Sequence, residues 1–368
     1  MKKKIFIITG EDSGDLLAYN IFKNIDLESI DVKGIPGSHL KKLNINGPFE
    51  NKEITFFGII DVLKNIFYIK KKIKQTVKFI EEFNPDILFS VDSPDFVFEV
   101  IKEIKNRKAI KTKFFHFVAP TIWAWRESRG KKIKKLLDKI YLLFEFEKKY
   151  FDKYLIPNKF VGHPFFDSFD FSKSNYNEMS NVISFCPGSR EKEITIFLPI
   201  FLLLIKSLGD KYIYHFAVTK NTEYIVKKKL ANLNYQIIIN TNEKDKNDYY
   251  KKSLFAIAKS GTVGLDLVKA QIPFFIIYKF SWLNYLLIRP FVKVKYANII
   301  NIIANKEIIP EFIQSNCNSN TILKKLNYFF TNKKELKKMV NNYNMTLDSF
   351  SNRNASKKIA EDLLKNLY

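Results

Sequence analysis

Four turns in this chain gather residue types that can do chemistry. Gly10-Glu11-Asp12-Ser13-Gly14-Asp15 follows the apolar run Ile5-Phe6-Ile7-Ile8 and crowds three carboxylates into one loop with two glycines, which permit a tight turn and close approach of a ligand. The same residues also describe a helix start in which Ser13 or Asp15 accepts amide hydrogens, and both readings stand. In Val91-Asp92-Ser93-Pro94-Asp95, proline suits the first helical position, Ser93 the cap and Asp95 the first turn. Asp92 has no such structural use. A carboxylate at the end of a strand can take the proton of an attacking hydroxyl. Pro187-Gly188-Ser189-Arg190-Glu191 opens an Ile- and Leu-rich stretch: Gly188 lets backbone amides approach an anion, and Arg190 adds bidentate neutralisation of a diphosphate. The Lys-Ser/Thr of a Walker loop is missing. Ser260-Gly261-Thr262 repeats the arrangement, with Asp266 about one helical turn further on, where a carboxylate would pair with a ribose diol. Either loop alone is a common helix start; the two together on one sheet describe a nucleoside-diphosphate site.

Elements must hold these turns at strand ends. Short β-branched and aromatic runs alternate with longer periodic stretches, the pattern of βαβ units building parallel sheets. Strands are expected at Ile5–Thr9, Ile87–Val91, Phe114–Val118 and Ile140–Leu143, and again at Val182–Cys186, Tyr212–Ala217, Gln236–Ile239, Phe255–Ala258 and Phe274–Tyr278. A polar stretch, Asp167 to Asn175, separates the two series. The expectation is an α/β protein of two Rossmann-like domains whose parallel sheets face a cleft: residues 1–165, residues 166–350 and a C-terminal helix in 351–368. A long helix from about Ile59 to Phe83 carries Val62, Ile66, Ile69, Ile73, Val77 and Ile80 on one stripe, and Lys64, Lys70, Lys71, Lys72, Lys74 and Lys78 elsewhere.

The 368 residues carry 61 basic and 38 acidic side chains, a formal charge of +23, with only six arginines. Such an excess attracts anions: nucleic acid, an acidic membrane surface or phosphate-bearing substrates. Lysine spread over every solvated face would give the same sum. Trp123 and Trp125, with Arg126 and the lysines that follow, could stack on and neutralise nucleic acid or a sugar phosphate, or simply fill a core. No recognised nucleic-acid module accompanies them, so nucleic acid is not an expected partner. Cys186 and Cys317 are too few for a disulfide framework, which fits a reducing cytosol. His39, His116, His163 and His215 form no ligand spacing and no metal is expected; His163, in Gly162-His163-Pro164, stays unassigned. No run of about 18 uncharged apolar residues would span a membrane; the nearest, Pro273 to Val292, is broken by Lys279 and Arg289.

Gly10-Glu11-Asp12-Ser13-Gly14-Asp15, Ala119-Pro120-Thr121-Ile122-Trp123-Ala124-Trp125-Arg126, Phe160-Val161-Gly162-His163-Pro164 and Pro187-Gly188-Ser189-Arg190, in this order, carry a family likeness, extended by Ser260-Gly261-Thr262 and Ile309-Pro310-Glu311. The chain resembles the lipid-A-disaccharide synthases over nearly its whole length. The resemblance implies an inverting glycosyltransferase of the GT-B type, joining UDP-2,3-diacylglucosamine to 2,3-diacylglucosamine 1-phosphate with release of UDP and without metal or redox cofactor. It implies Asp92 as general base at the acceptor's 6-hydroxyl, Glu11 and Ser13 at the cleft, and Arg190, Asp266 and Asn301 holding UDP. With the loops read above, Gly188, Ser189, Ser260, Gly261, Thr262, Trp125 and Arg126 complete the expected substrate-binding set. The family usually has glutamate where Asp266 stands, a methylene longer, and proline before Asn301 where this chain has Ile300. Acylated anionic substrates imply peripheral association with the acidic cytoplasmic face of the inner membrane, for which the lysine-rich helix is the candidate, and the family tends to self-associate. A UDP-N-acetylglucosamine 2-epimerase on the same architecture is the competing enzyme reading, distinguished by acting on an unacylated sugar nucleotide without an acceptor.

Overall fold

The computed structural model describes residues 2–55, 65–107, 111–123, 127–167, 176–279, 295–350 and 354–368. The chain forms two compact units, one of Met1–Asp167 with Ser351–Tyr368, the other of Ser168–Phe350.

Unit 1 begins with β1 (Lys3–Thr9), whose Ile5, Phe6, Ile7 and Ile8 are buried on both faces, as a central parallel strand requires. After it come α1 (Asp12–Phe22), β2 (Ile30–Ile35), α2 (Ile66–Phe83), β3 (Ile87–Val91), α3 (Pro94–Asn106), β4 (Lys113–Phe117), α4 (Arg129–Leu136), β5 (Lys139–Leu142), α5 (Lys148–Asp152) and β6 (Asn158–Phe160). The described strands make one parallel sheet in the order β2-β1-β3-β4-β5-β6. Phe6, Ile8 and Leu88 face a layer containing Ile73, Val77 and Ile80 of α2, Val97 and Ile101 of α3 and Ile133 of α4. The alternate residues Ile5, Ile7, Ile87 and Phe89 face Ala18, Ile21 and Phe22 of α1. The apolar stripe of α2 is therefore a core stripe from Ile73 onward; residues 56–64, with Ile59, Val62 and Lys64, lie outside the described residues. One lysine departs from the expected solvated face. Lys72 is buried over the Phe49 ring, and its ammonium pairs with Glu53 at 2.6 Å.

Unit 2 repeats the plan with β7 (Val182–Cys186), α6 (Glu191–Leu208), β8 (Ile213–Ala217), α7 (Glu223–Leu230), β9 (Ile237–Asn240), α8 (Glu243–Lys252), β10 (Ser253–Lys259), α9 (Val263–Lys269), β11 (Phe274–Tyr278), α10 (Ile299–Ala304), β12 (Glu311–Ile313), α11 (Ser319–Thr331) and α12 (Lys333–Phe350). Its parallel order is β12-β11-β10-β7-β8-β9. Phe185 packs on Phe201 and Phe216, with ring centroids 4.6 and 5.3 Å away, and joins α6 to the sheet. The last helix, α13 (Ala355–Leu367), returns to unit 1 and buries Ile359, Ala360 and Leu363 in the same cluster as α1. No described helix is long and apolar enough to cross a membrane.

Each sheet has a topological switch point, where the chain leaves one strand in opposite directions and opens a crevice beyond the carboxyl ends. In unit 1 it lies between β1 and β3, in unit 2 between β7 and β10. The four turns singled out from the sequence follow these four strands.

Candidate active site

The register Thr9↔Val91 sets Gly10-Glu11 beside Asp92-Ser93. The two loops interlock: a Cβ at Gly10 would collide with the Ser93 side chain, so only glycine fits there. Asp92 and Ser93 are both left-handed, with φ of +57° and +48°, and the Asp92 amide donates to Phe117 O of β4 at 3.0 Å. Val118, at the end of β4, is a third left-handed residue, φ +68°, a conformation a β-branched side chain rarely takes. Strained backbone at adjacent strand ends is a mark of functional sites. Burial pushes the Asp92 carboxyl above its usual range, and a hydrogen bond from the Ser93 amide opposes this in part.

Asp92 and Glu11 line one cavity of about 530 Å³. Ile54, Ile66, Ile69, Ile73 and Phe96 give it an apolar wall, Lys70 adds a cation, and Asp95 and Glu99 are two further carboxylates in the lining. Thr55, also in the lining, donates through Oγ1 to Gly10 O at 2.7 Å and fixes the loop. The arrangement can hold an amphiphile with its polar head at Asp92. Ser13 is exposed on α1, outside this lining. The capping expectations need correction. Glu11 occupies the N-cap of α1 without a side-chain cap bond, and Asp15 is fully buried, accepting the Gly37 and His39 amides at 2.7 Å each. Ser93 occupies the N-cap of α3, also without a side-chain cap bond, and Asp95 pairs with Arg129 at 2.8 Å.

Trp125 and Arg126 lie outside the described residues. Trp123 is a core side chain: it is buried, meets Phe146 edge-on and donates from Nε1 to Glu147 Oε1 at 3.2 Å. Burial raises Glu147 to about 7, against the opposing Phe144 amide. His163 sits against the rings of Phe144 and Phe166, and burial lowers it to about 4.

In unit 2 a cavity of about 310 Å³ opens at the β7/β10 switch point. Gly188, Ser189, Gly261, Thr262 and Asp266 line it, with Glu193, Thr219, Glu243, Lys246, Tyr250 and Lys259. Arg190 is exposed at the N-cap of α6 beside it. Gly188 has φ +109°, which glycine alone adopts without strain. The amides expected to cradle a phosphate are already used. Glu193 Oε2 accepts the Ser189 and Arg190 amides at 3.0 and 3.3 Å, and Oε1 pairs with Lys259 at 3.1 Å. The spacing of Glu193 three residues after the N-cap is the capping-box signal that could have revealed this. Ser260 stands outside the lining and donates through Oγ to Ala297 O at 3.1 Å.

Asn301 departs furthest from expectation. It is fully buried: Nδ2 donates to Ile309 O and Glu311 Oε1 at 2.7 and 2.8 Å, and Oδ1 accepts the Ile308 and Ile309 amides at 2.8 and 3.0 Å. The amide buckles α10 to the segment before β12 instead of reaching a nucleotide.

With both sites in view, comparison with known proteins gives a family. The model of the lipid-A-disaccharide synthetase family matches residues 5–363. The chain belongs to the lipid-A-disaccharide synthase family. It is 34% identical to the lipid-A-disaccharide synthase of Rickettsia bellii over 352 residues, covering 92% of this chain and 91% of that one. It is 31% identical to that of Rhodospirillum centenum, over 85% and 81% of the two chains. Lipid-A-disaccharide synthases are glycosyltransferases of lipid A biosynthesis. Among solved structures, UDP-GlcNAc 2-epimerase from Neisseria meningitidis bound to UDP-GlcNAc superposes with a TM-score of 0.66 at 15% identity, covering 98% and 100% of the chains. MurG from Acinetobacter baumannii superposes with a TM-score of 0.56 at 12% identity and 99% coverage of each. These likenesses are of fold, and they make the epimerase reading a matter of shared architecture.

Proposed function

We propose that the chain joins UDP-2,3-diacylglucosamine to 2,3-diacylglucosamine 1-phosphate, giving the disaccharide 1-phosphate and UDP. The acceptor occupies the unit 1 cavity. Its 6-hydroxyl gives its proton to Asp92 as the oxygen bonds to the anomeric carbon of the donor, and the bond from that carbon to the diphosphate breaks with its electron pair leaving on UDP. One displacement inverts the anomeric centre. The observation that carries this reading is Asp92 itself, a half-buried carboxylate held by two left-handed residues at a switch point, in a cavity whose remaining wall is largely apolar. Glu11 shares the polar end of the cavity, Lys70 suits the acceptor phosphate, and the isoleucines suit acyl chains. In unit 2 the nucleotide meets Ser189, Thr262 and Asp266, and Arg190 offsets charge developing on the diphosphate. The wall helix α2 also carries exposed Lys70, Lys71, Lys74 and Lys78 and Phe67, 84% exposed, which supports peripheral binding to an anionic membrane.

UDP release by the purified full chain tests the reaction. Release should require the acylated acceptor, persist in EDTA and fall by about 10²–10⁴ in Asp92→Asn. A base must be ionised, so kcat/KM should decline as pH falls through the raised Asp92 pKa, and the asparagine variant should lose that limb. Release without acceptor, or an unchanged rate in Asp92→Asn, would overturn the assignment.

A further inference from the structure

Of the charged side chains that line the unit 2 cavity and that the transfer chemistry leaves unused, Lys246 is the least exposed. Lys246, on α8, is only 9% exposed, rare for a lysine. Its ammonium pairs at 2.5 Å with Glu243, one turn back on the same helix, and both side chains line the cavity with Asp266 of α9. Glu243 is 74% exposed, so water already stabilises its charge and the pair by itself gives little reason to draw an ammonium out of water. Asp266 supplies the reason. It is half-buried at this switch point and, unlike Glu193, which pairs with Lys259, it has the nearby Glu243 repelling its charge.

We propose that Lys246 is a positioning residue for the nucleotide: its buried ammonium keeps Asp266 ionised, so that Asp266 accepts hydrogen bonds from both ribose hydroxyls of a nucleoside diphosphate. This rests on the nucleotide reading of the cavity given above. An ionised carboxylate offers acceptors to both protons of a diol, whereas a protonated one turns one oxygen into a donor facing a donor. Burial first, and Glu243 second, raise Asp266 to about 6, while Lys246 and then Lys269 pull it down. The other groups around the cavity do not replace Lys246. Cys186 at the end of β7 is pushed up to about 12 by burial, and Tyr250 on α8 is raised beyond that, so both stay neutral. Lys259, at the end of β10, is bound to Glu193 of α6. The sequence hides this role, because Lys246 stands in a helix with three other lysines and no apolar spacing marks it.

The test is UDP affinity by calorimetry at about pH 6 and about pH 8.5, for wild type, Lys246→Met and Lys246→Arg, with 2′,3′-dideoxy-UDP in parallel. Methionine keeps the length of the side chain without its charge. One unit of upward shift in Asp266, from about 6 to about 7, lowers its ionised fraction at about pH 6 from about a half to about a tenth. Lys246→Met should therefore bind UDP about fivefold more weakly at the lower pH, the ratio closing to near one at the higher. Titration of the UDP phosphate cancels from the ratio of variant to wild type. Arginine should restore wild-type affinity, and with dideoxy-UDP the ratio should stay near one at both pH values. A deficit equal at the two pH values, or equal for the two nucleotides, would mean that Lys246 only supports the fold or the diphosphate, and would overturn the inference. Wild-type protein that does not bind UDP would instead remove the nucleotide reading beneath it.

Discussion

At the scale of single residues, two polar side chains expected at the substrates part company. Asp92 sits in a cavity with its carboxyl desolvated, whereas Asn301 is enclosed and fully hydrogen-bonded. Replacing Asn301 by alanine leaves the Ile308 and Ile309 amides without their acceptor in a buried place, at about 1–3 kcal/mol for each unsatisfied group. Asn301→Ala should therefore lower the urea midpoint markedly, while UDP affinity of the folded protein at low temperature stays near that of wild type. A stable Asn301→Ala protein with UDP binding lost would return the residue to the site. Asp92 was legible because a carboxylate that ends a strand and caps nothing has no structural use in the sequence. Asn301 was not, because its partners become neighbours only when α10 turns back along the chain. Glu193 lies between: its spacing was visible, but its hold on the Ser189 and Arg190 amides removes two donors that the loop by itself seemed to offer an anion.

At the scale of elements, most strands read from the sequence have apolar runs that announce burial on both faces; β9, a half-buried edge strand, showed itself through Ile237-Ile238-Ile239. Three were not read, β2, β6 and β12, and each is an edge strand. β2 alternates polar Asp31 and Lys33 with apolar neighbours, and β6 and β12 have three residues each, too short for any period to show. The helix α2 shows the converse: its stripe was plain, but composition could not sort its lysines. Lys70, Lys71, Lys74 and Lys78 reach water, and Lys72 lies under Phe49 and Tyr68 in contact with Glu53. Replacing the four exposed lysines by glutamate should leave thermal stability nearly unchanged and abolish sedimentation with vesicles containing phosphatidylglycerol, since each basic residue at such a surface is worth about 1 kcal/mol. Lys72→Glu, which sets two carboxylates together under an aromatic ring, should instead destabilise the fold. Vesicle binding that survives all four exposed changes would remove α2 from the membrane reading.

At the scale of the whole molecule, the chain leaves unit 1, builds unit 2 and comes back, so α13 closes the sheet it left some 190 residues earlier. The return is fastened by one carboxylate. Asp362 accepts from Lys139 at 2.7 Å, from Lys159 at 2.8 Å and from Tyr141 Oη at 2.7 Å, so β5 and β6 both hold the helix. Burial alone would raise Asp362, but the hydrogen bonds from Lys139, Lys159 and Tyr141 outweigh it and bring the carboxyl from 3.8 to about 2. A folded pKa below the unfolded one contributes stability above the unfolded value and loses it as pH falls through the folded value; a drop of this size is worth about 2 kcal/mol near neutrality, and about half of it is gone by pH 3. Asp362→Asn should therefore be less stable than wild type by about that amount at neutral pH, with the difference in urea midpoints narrowing as the solution is acidified from about pH 5 to about pH 3. Hydrogen exchange would locate the loss, because α13 covers Ala18, Ile21, Phe22 and Phe115 of unit 1, and its loosening should deprotect β1, β4 and α1 while leaving β7 and β10 of unit 2 as they are. Equal deprotection of both units would mean that the two fold as one cooperative block and that the C-terminal helix stabilises more than the sheet it covers.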